Sequence, residues 1–318
     1  MELKTKRCRS CAKDTFERLD AKAEVDPFFA RYGLQIEVSQ TIDIPLFDWG
    51  LRRKVDRLPS GLATKIHPFL DRLRRGHILT GLRIKIPYGL CTSCSFLAPW
   101  YEVGDDQLRD YYAFYLEKEY KQARTAFQPS FAQLGQVMGS KEEGENRRNQ
   151  HEAFINPYLT RLRQELHKDE LDLLDYGGGS GMLLPKLDWV QGTVLDVDSS
   201  SSPRKASQSN YDVVQCLHVL EHVGHPLATV EQLRALCVPG GLIYIEVPLE
   251  FPGERAVRAG QLPPCHEHLN KFSLKAVEGL LAAADLEPEV VQTAEVDFLH
   301  LDGLTPVVRG LARRPFRN

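Results

Sequence analysis

The segment LDLLDYGGGSGMLLPKL (residues 171–187) constrains the fold of this chain more than any other. A short apolar run with no alternation reads as a strand buried on both faces, as in a parallel sheet. It ends at Asp175, and Gly177, Gly179 and Gly181 then turn the chain. Glycines there permit dihedrals closed to other residues and let the backbone pass close to a ligand. The spacing is GxGxG after an acid, not the GxGxxG of a pyrophosphate-binding turn. MLLPKLDW is expected to form a short helix, bent by Pro185.

The pattern continues beyond this turn. HEAFINPYLTRLRQEL (His151–Leu166) has helical spacing, and TVLDVD and YDVVQC read as strands. HPLATVEQLRALC is an amphipathic helix closed by Pro239-Gly240-Gly241, and the apolar strand GLIYIEVPL follows. SLKAVEGLLAAADL is a helix with Ser273 as N-cap, and EVVQTAEVDF supplies a last strand. Alternating strands and helices imply an α/β fold with a mostly parallel sheet covered on both faces. GSKEEGENRRNQ (Gly139–Gln150) lacks apolar residues and reads as a linker or an exposed helix start. The expected division is an N-terminal module over 1–138, a linker over 139–150 and the α/β domain over 151–318.

The first 138 residues contain two CxxC pairs, Cys8/Cys11 and Cys91/Cys94. Four thiolates are the complement of a closed tetrahedral zinc site. The gap of about 80 residues is far longer than a compact zinc ribbon uses, so the segment between the pairs is an insertion. Cys216, Cys237 and Cys265 lack ligand spacing. The start, MELKTKRCRS, has no signal-peptide character, and no apolar run reaches the roughly 18 residues of a membrane span. A cytoplasmic protein with reduced cysteines is expected.

Net charge is −3 over 318 residues, which gives no global argument for nucleic acid. Yet Leu51–Leu90 carries ten Lys/Arg against Asp56 and Asp71, a local +8. That segment is either a solvated helical face or the footprint of an anionic partner, such as a nucleotide-linked substrate or RNA.

In order and spacing, DYGGGSG, VLDVD, YDVVQCLHVLEHV and VPGGLIYIEVP resemble the class I S-adenosylmethionine-dependent methyltransferases. The resemblance implies a Rossmann-like sheet and places Asp175, Gly177, Gly179 and Gly181 around the methionine portion of the cofactor. It puts Asp198 on the ribose hydroxyls, where two carboxylate oxygens suit a vicinal diol, and leaves Asp196 structural. Cys216, Leu217 and His218 would lie near the methyl group. CTSCSFLAPWYEVGDDQLRDYY is similar to the second knuckle of methyltransferases with an N-terminal zinc module, including sugar and natural-product enzymes. The resemblance implies a module that frames the substrate and a metal remote from methyl transfer.

A sulfonium methyl is already electrophilic, so the protein must align a nucleophile and manage its proton. His218, Glu221 and His222 stand at i, i+3 and i+4, and His266 and His268 precede the Ser273 helix. Histidine is the default general base near neutral pH, so all four histidines are candidates. HxxEH with a later histidine also resembles the ExxEH of metal-dependent methyltransferases. A second, catalytic divalent ion is the lesser alternative, because His218 replaces the first acid. The implied activity is methylation of a small hydroxylated acceptor, anionic if nucleotide-linked. The competing readings are RNA methylation and a non-catalytic methyltransferase-like partner subunit.

Between Ser199 and Asn210 there is no acid and too little chain for the family's next helix and strand. The sheet is therefore expected to be shortened at the edge of the family's third strand. The adenine would be held by backbone, Gln208 or Ser209.

Overall fold

The computed structural model describes residues 5–26, 29, 85–103, 108, 111–112, 118–127, 140–195, 211–298 and 304–316. The basic segment up to residue 84, Asp196, Asp198, Gln208 and Ser209 lie outside the described residues.

The N-terminal part forms an antiparallel sheet in the order β1 (Thr5–Lys6), β2 (Phe16–Glu24), β3 (Lys85–Cys91), β4 (Leu97–Pro99). Its register explains how an 80-residue separation can still unite two cysteine pairs. Phe16 pairs with Cys91 and Glu24 with Lys85, so the intervening chain leaves and re-enters at the far end of the β2–β3 ladder. Helix α1 (Lys118–Phe127) follows.

Helix α2 spans Lys141–Glu165, so residues 141–150 are helical rather than a separate connection. Ser140 is its N-cap, with Oγ accepting from the Glu143 N–H at 3.1 Å. The second sheet has the order β6 (Val190–Leu195), β5 (Leu171–Tyr176), β7 (Tyr211–Leu217), β8 (Cys237–Pro248), β10 (Leu304–Arg313), β9 (Glu287–Asp297). Strands β6, β5, β7 and β8 run parallel, and β10 is antiparallel to both its neighbours. Helix α3 (Pro226–Leu236) links β7 to β8. The short helix α4 (Glu254–Arg258) and helix α5 (Leu274–Ala283) precede β9. Leu174, Val214, Ile243, Ile245, Val277, Leu280 and Leu281 form the core between this sheet and α3 and α5. Among the described residues, β6 is the sheet's edge; residues 199–210, on which the expected shortening depends, lie outside them.

Two expectations are corrected. The helix expected from MLLPKLDW does not form: residues 179–183 are turns, 184 is a bend and 185–187 are irregular. Gly177, Gly179 and Gly181 have φ of 72°, 53° and 72°, outside the right-handed helical region, and Pro185 stops a late start. Leu183, Leu184, Leu187 and Trp189 pack on the core under α2 and hold this non-helical return. Pro239-Gly240-Gly241 lies inside β8 rather than ending α3, and positive φ is confined to Gly240.

Candidate active site

The C-terminal ends of β5 and β7 carry the glycine turn and the histidine-bearing loop. Asp175 is buried at the tip of β5, directly under the turn: a Cβ at Gly178 would lie 2.1 Å from its Oδ2. Burial pushes the Asp175 carboxyl up to about 6, and its Oδ2 has no hydrogen-bond partner within the protein. A buried acceptor without a donor is costly unless a ligand or water satisfies it. Gly181 is closed from below, since a Cβ there would meet Val194 at 2.8 Å. A Cβ at Gly179, in contrast, would meet nothing within 4 Å. The turn is thus a backbone cradle, supported underneath and open above, with an orphaned carboxylate oxygen beside it. These residues fit the methionine end of S-adenosylmethionine. Cys216 is fully buried in the core beneath the site and Leu217 nearly so. Burial raises the Cys216 thiol well above its ordinary range, so it stays a neutral packing group.

His218 begins the VLEHV loop with φ of 56°. Its Nε2 lies 3.1 Å from Glu246 Oε1 and its Nδ1 lies 3.4 Å from Glu221 Oε1. Burial opposes its charge, but the two carboxylates outweigh it and raise His218 to about 9. Glu246 in turn accepts from Tyr244 Oη at 2.9 Å and Arg309 Nε at 2.6 Å. Burial works against its ionisation as well, and His218 and Arg309 reverse that and hold it well below the usual range. His218 is therefore an imidazolium locked in an ion network, with no lone pair to offer. From α2, His151 stacks on Tyr244 at 5.4 Å and meets Gln215 Oε1 at 3.0 Å. Burial lowers it to about 4.

These groups make stability depend on pH in both directions. The folded value of His218 lies above its unfolded 6.5, so its contribution is complete below pH 6.5 and is lost as pH rises to about 9. The shift corresponds to roughly 3 kcal/mol. His151 has the opposite sign: its contribution is complete above pH 6.5 and is lost as pH falls towards about 4. Urea unfolding from pH 5 to 9 should show a maximum between pH 6 and 7. His218→Gln should flatten the alkaline limb specifically.

The other three candidate histidines meet at a second cluster. His222 Nδ1 donates to the Glu267 carbonyl at 3.0 Å, which leaves Nε2 as a lone pair. Burial lowers its basicity. Its ring lies 4.7 Å from that of His268. His268 Nδ1 is 2.7 Å from Glu250 Oε1. Burial disfavours charge on Glu250, but His268 and Lys271 outweigh it and keep the group ionised. An ionised carboxylate only accepts, so His268 Nδ1 carries a proton towards it. Lys271, with its side chain fully buried, donates to Glu250 Oε2 at 2.5 Å and lies 3.0 Å from His266 Nε2. His266 Nδ1 accepts from the His268 N–H at 3.2 Å, and burial, then Lys271 and His268, push His266 down to about 3. Asn270 Nδ2 donates to the Leu220 and Val223 carbonyls at 2.8 and 2.6 Å, stapling the VLEHV loop to this segment.

Donor atoms of Glu221, His222 and His268, and of Glu250, His266 and His268, lie within 4.8 Å of one another. His268 is common to both sets, and Glu250 is already occupied by His268 and Lys271. His218, the first residue of HxxEH, is committed to Glu246. The Glu250 side of the cluster is satisfied by His268 and Lys271, whereas both Glu221 carboxylate oxygens are buried without a hydrogen-bond partner beside His222 and His268.

The four knuckle cysteines do converge, all buried. Cys8 and Cys94 Sγ are 3.8 Å apart and Cys11 and Cys91 Sγ are 3.6 Å apart. A tetrahedron with metal–sulfur bonds of about 2.3 Å has edges of about 3.8 Å. The donor set fits zinc. Sequence reasoning missed Glu246, Arg309, Glu250 and Lys271. The signal for the first two was a lone charge in each apolar strand, GLIYIEVP and VVRGLA.

Residues 146–292 match the family model described as a methyltransferase domain. Curated relatives include the ubiquinone biosynthesis O-methyltransferase of Vibrio parahaemolyticus, 36% identical over 59 residues, which are 19% of this chain and 23% of that one. That of Paraburkholderia xenovorans is 38% identical over 55 residues, or 17% and 24%. The match thus spans about a quarter of each curated relative's length. Similar solved structures include a SAM-dependent methyltransferase from Methanosarcina mazei (TM-score 0.33, 12% identity, 47% of this chain and 95% of that one). The DszA carbon methyltransferase is another (TM-score 0.34, 14% identity, 53% and 55%).

Proposed function

We propose that this chain, which carries a match to a methyltransferase domain over residues 146–292, is an S-adenosylmethionine-dependent methyltransferase acting on a small hydroxylated molecule. The observation that carries this reading is the open glycine cradle over the orphaned Asp175 oxygen. Asp175, Gly177, Gly179 and Gly181 would hold the methionine portion of the cofactor, with Asp198 at the ribose and Leu217 on the far side, while Cys216 packs in the core beneath rather than lining the pocket. When bound, S-adenosylmethionine supplies an electrophilic methyl group.

The protein's own part is to orient the acceptor and remove its proton. His268 Nε2 takes that proton, and Glu250, hydrogen-bonded to Nδ1, holds the ring and stabilises the imidazolium that forms. His222, edge-on to His268, offers a second lone pair. The His218 imidazolium contributes a fixed positive charge and anchors Glu221 and Glu246. His266 is kept neutral and orients the backbone of His268. Beside this cluster a cavity of about 450 Å³ is lined by Glu24, Val25, Asp26, Arg124, Pro264, His266 and Glu267. Three carboxylates against one guanidinium favour an acceptor rich in hydroxyl or amine donors. Zinc held by Cys8, Cys11, Cys91 and Cys94 would be structural.

Transfer of label from methyl-labelled cofactor to a panel of nucleotide sugars, free sugars and phenols tests the reading. Label in a small-molecule product is expected. Salt-sensitive labelling of RNA alone would favour the RNA alternative, and cofactor binding without transfer to either class would favour the partner-subunit alternative. Among the described residues, no helix is long and apolar enough to cross a membrane.

A further inference from the structure

The loop that carries both His266 and His268 is tied at each end to the N-terminal sheet. At its start, the Cys265 N–H donates to the Glu24 carbonyl and the Asp26 N–H to the Cys265 carbonyl, both at 2.7 Å, a parallel bridge onto the end of β2. At its end, the Lys271 N–H donates to the Leu97 carbonyl at 2.8 Å and the Leu97 N–H to the Lys271 carbonyl at 3.2 Å. Leu97 opens β4, only three residues after Cys94. The Cys91 N–H donates to the Phe96 carbonyl at 2.8 Å, so the second knuckle sets where Leu97 lies. Two further bonds fasten the knuckles to α5: Ser273 Oγ donates to the Cys94 carbonyl at 2.9 Å and Ser10 Oγ to the Ala276 carbonyl at 2.8 Å. Packing there is close, since a Cβ at Gly279 would come within 2.9 Å of Cys11 Cβ.

Lys271 is where the two systems meet. Its backbone is held by Leu97, and its buried ammonium holds Glu250, which holds His268. We propose that the four-cysteine module positions the catalytic base. Metal held by Cys8, Cys11, Cys91 and Cys94 fixes Leu97, Leu97 fixes Lys271, and Lys271 fixes Glu250 against His268. On this view the module is more than a frame for the substrate, and its metal governs the base without touching the reaction. Lys271 is a positioning residue.

Amide hydrogen exchange on the full chain, with bound metal and after chelation, tests the structural half. Removing the metal should speed exchange at Leu97, Cys265 and Lys271 by at least about tenfold, while β5 and β7 keep their protection. Unchanged exchange in the loop would overturn the proposal, as would equal loss of protection in β5 and β7, which would make the module a general fold element. The kinetic half rests on His268 as the base and uses Lys271→Met with metal bound. Glu250, His266, His222, Glu221 and Lys271 all face His268, and the substitution removes one positive charge from this set. The acid limb of the pH–rate profile should therefore move to higher pH, with cofactor affinity and metal content unchanged, and Lys271→Arg should restore it. An unmoved limb would overturn the link to the base. If the wild type transferred no methyl group at all, the activity reading would fail while the exchange measurement still decided this one.

Discussion

Replacing His268 with alanine is expected to lower kcat by about 10²–10⁴-fold, the usual contribution of a positioned general base, with affinity for S-adenosylhomocysteine within about twofold of wild type. The expectation follows from proton placement. His268 Nδ1 donates to an ionised Glu250 at 2.7 Å, so Nε2 is the nitrogen of that ring turned away from the carboxylate and placed to take the acceptor's proton. His222 Nδ1 donates to the neutral Glu267 carbonyl, and its Nε2 lies 3.8 Å from Glu221 Oε1, a looser contact with a carboxylate than the 2.7 Å bond of His268 to Glu250. His222→Ala should therefore lose much less, and His218→Ala should lose stability before chemistry. Steady-state kinetics on the first acceptor identified would check all three. A His268→Ala enzyme retaining wild-type kcat would remove His268 as base.

The Cys91→Ser/Cys94→Ser double variant carries the second large effect. A closed structural zinc site supplies roughly 10–16 kcal/mol of binding free energy. Even a fraction of that is comparable with the whole stability of a domain, about 5–15 kcal/mol. The variant should lose stoichiometric zinc and the cooperative unfolding of the β1–β4 sheet. Cys265→Ser, outside the four-sulfur cluster, should keep its metal. Metal analysis by mass spectrometry together with thermal denaturation would show both. Equal zinc content in the double variant and the wild type would refute the site.

What was legible in the sequence was what depends on local chemistry. The strand ending at Asp175, the glycines at positive φ, the Ser273 cap and the two knuckles are each written in a few adjacent residues. What was not legible depends on partners distant in the chain. MLLPKLDW has helix-like spacing, but three left-handed glycines and Pro185 leave no room for a helix before Leu187 and Trp189 must reach the core. LTPVVRGLAR forms β10, yet Pro306 and Gly310 disguise it as a connection. The roles of the histidines lay in the same blind spot. His218 and His222 are four residues apart on one motif. Glu246, from the neighbouring strand, and Glu221 charge the first, whereas burial lowers the basicity of the second. Only the paired strands bring those residues together.

The central claim is that the turn over Asp175 holds a methyl donor, and calorimetric titration with S-adenosylhomocysteine tests it most directly. Wild type should bind one equivalent. Gly179→Val should keep its metal content yet bind none, because a Cβ there meets no protein atom within 4 Å and projects into the cradle, and a β-branched residue is strained at the φ of 53° that the turn requires. Absence of binding by the wild type, or equal binding by Gly179→Val, would contradict the account.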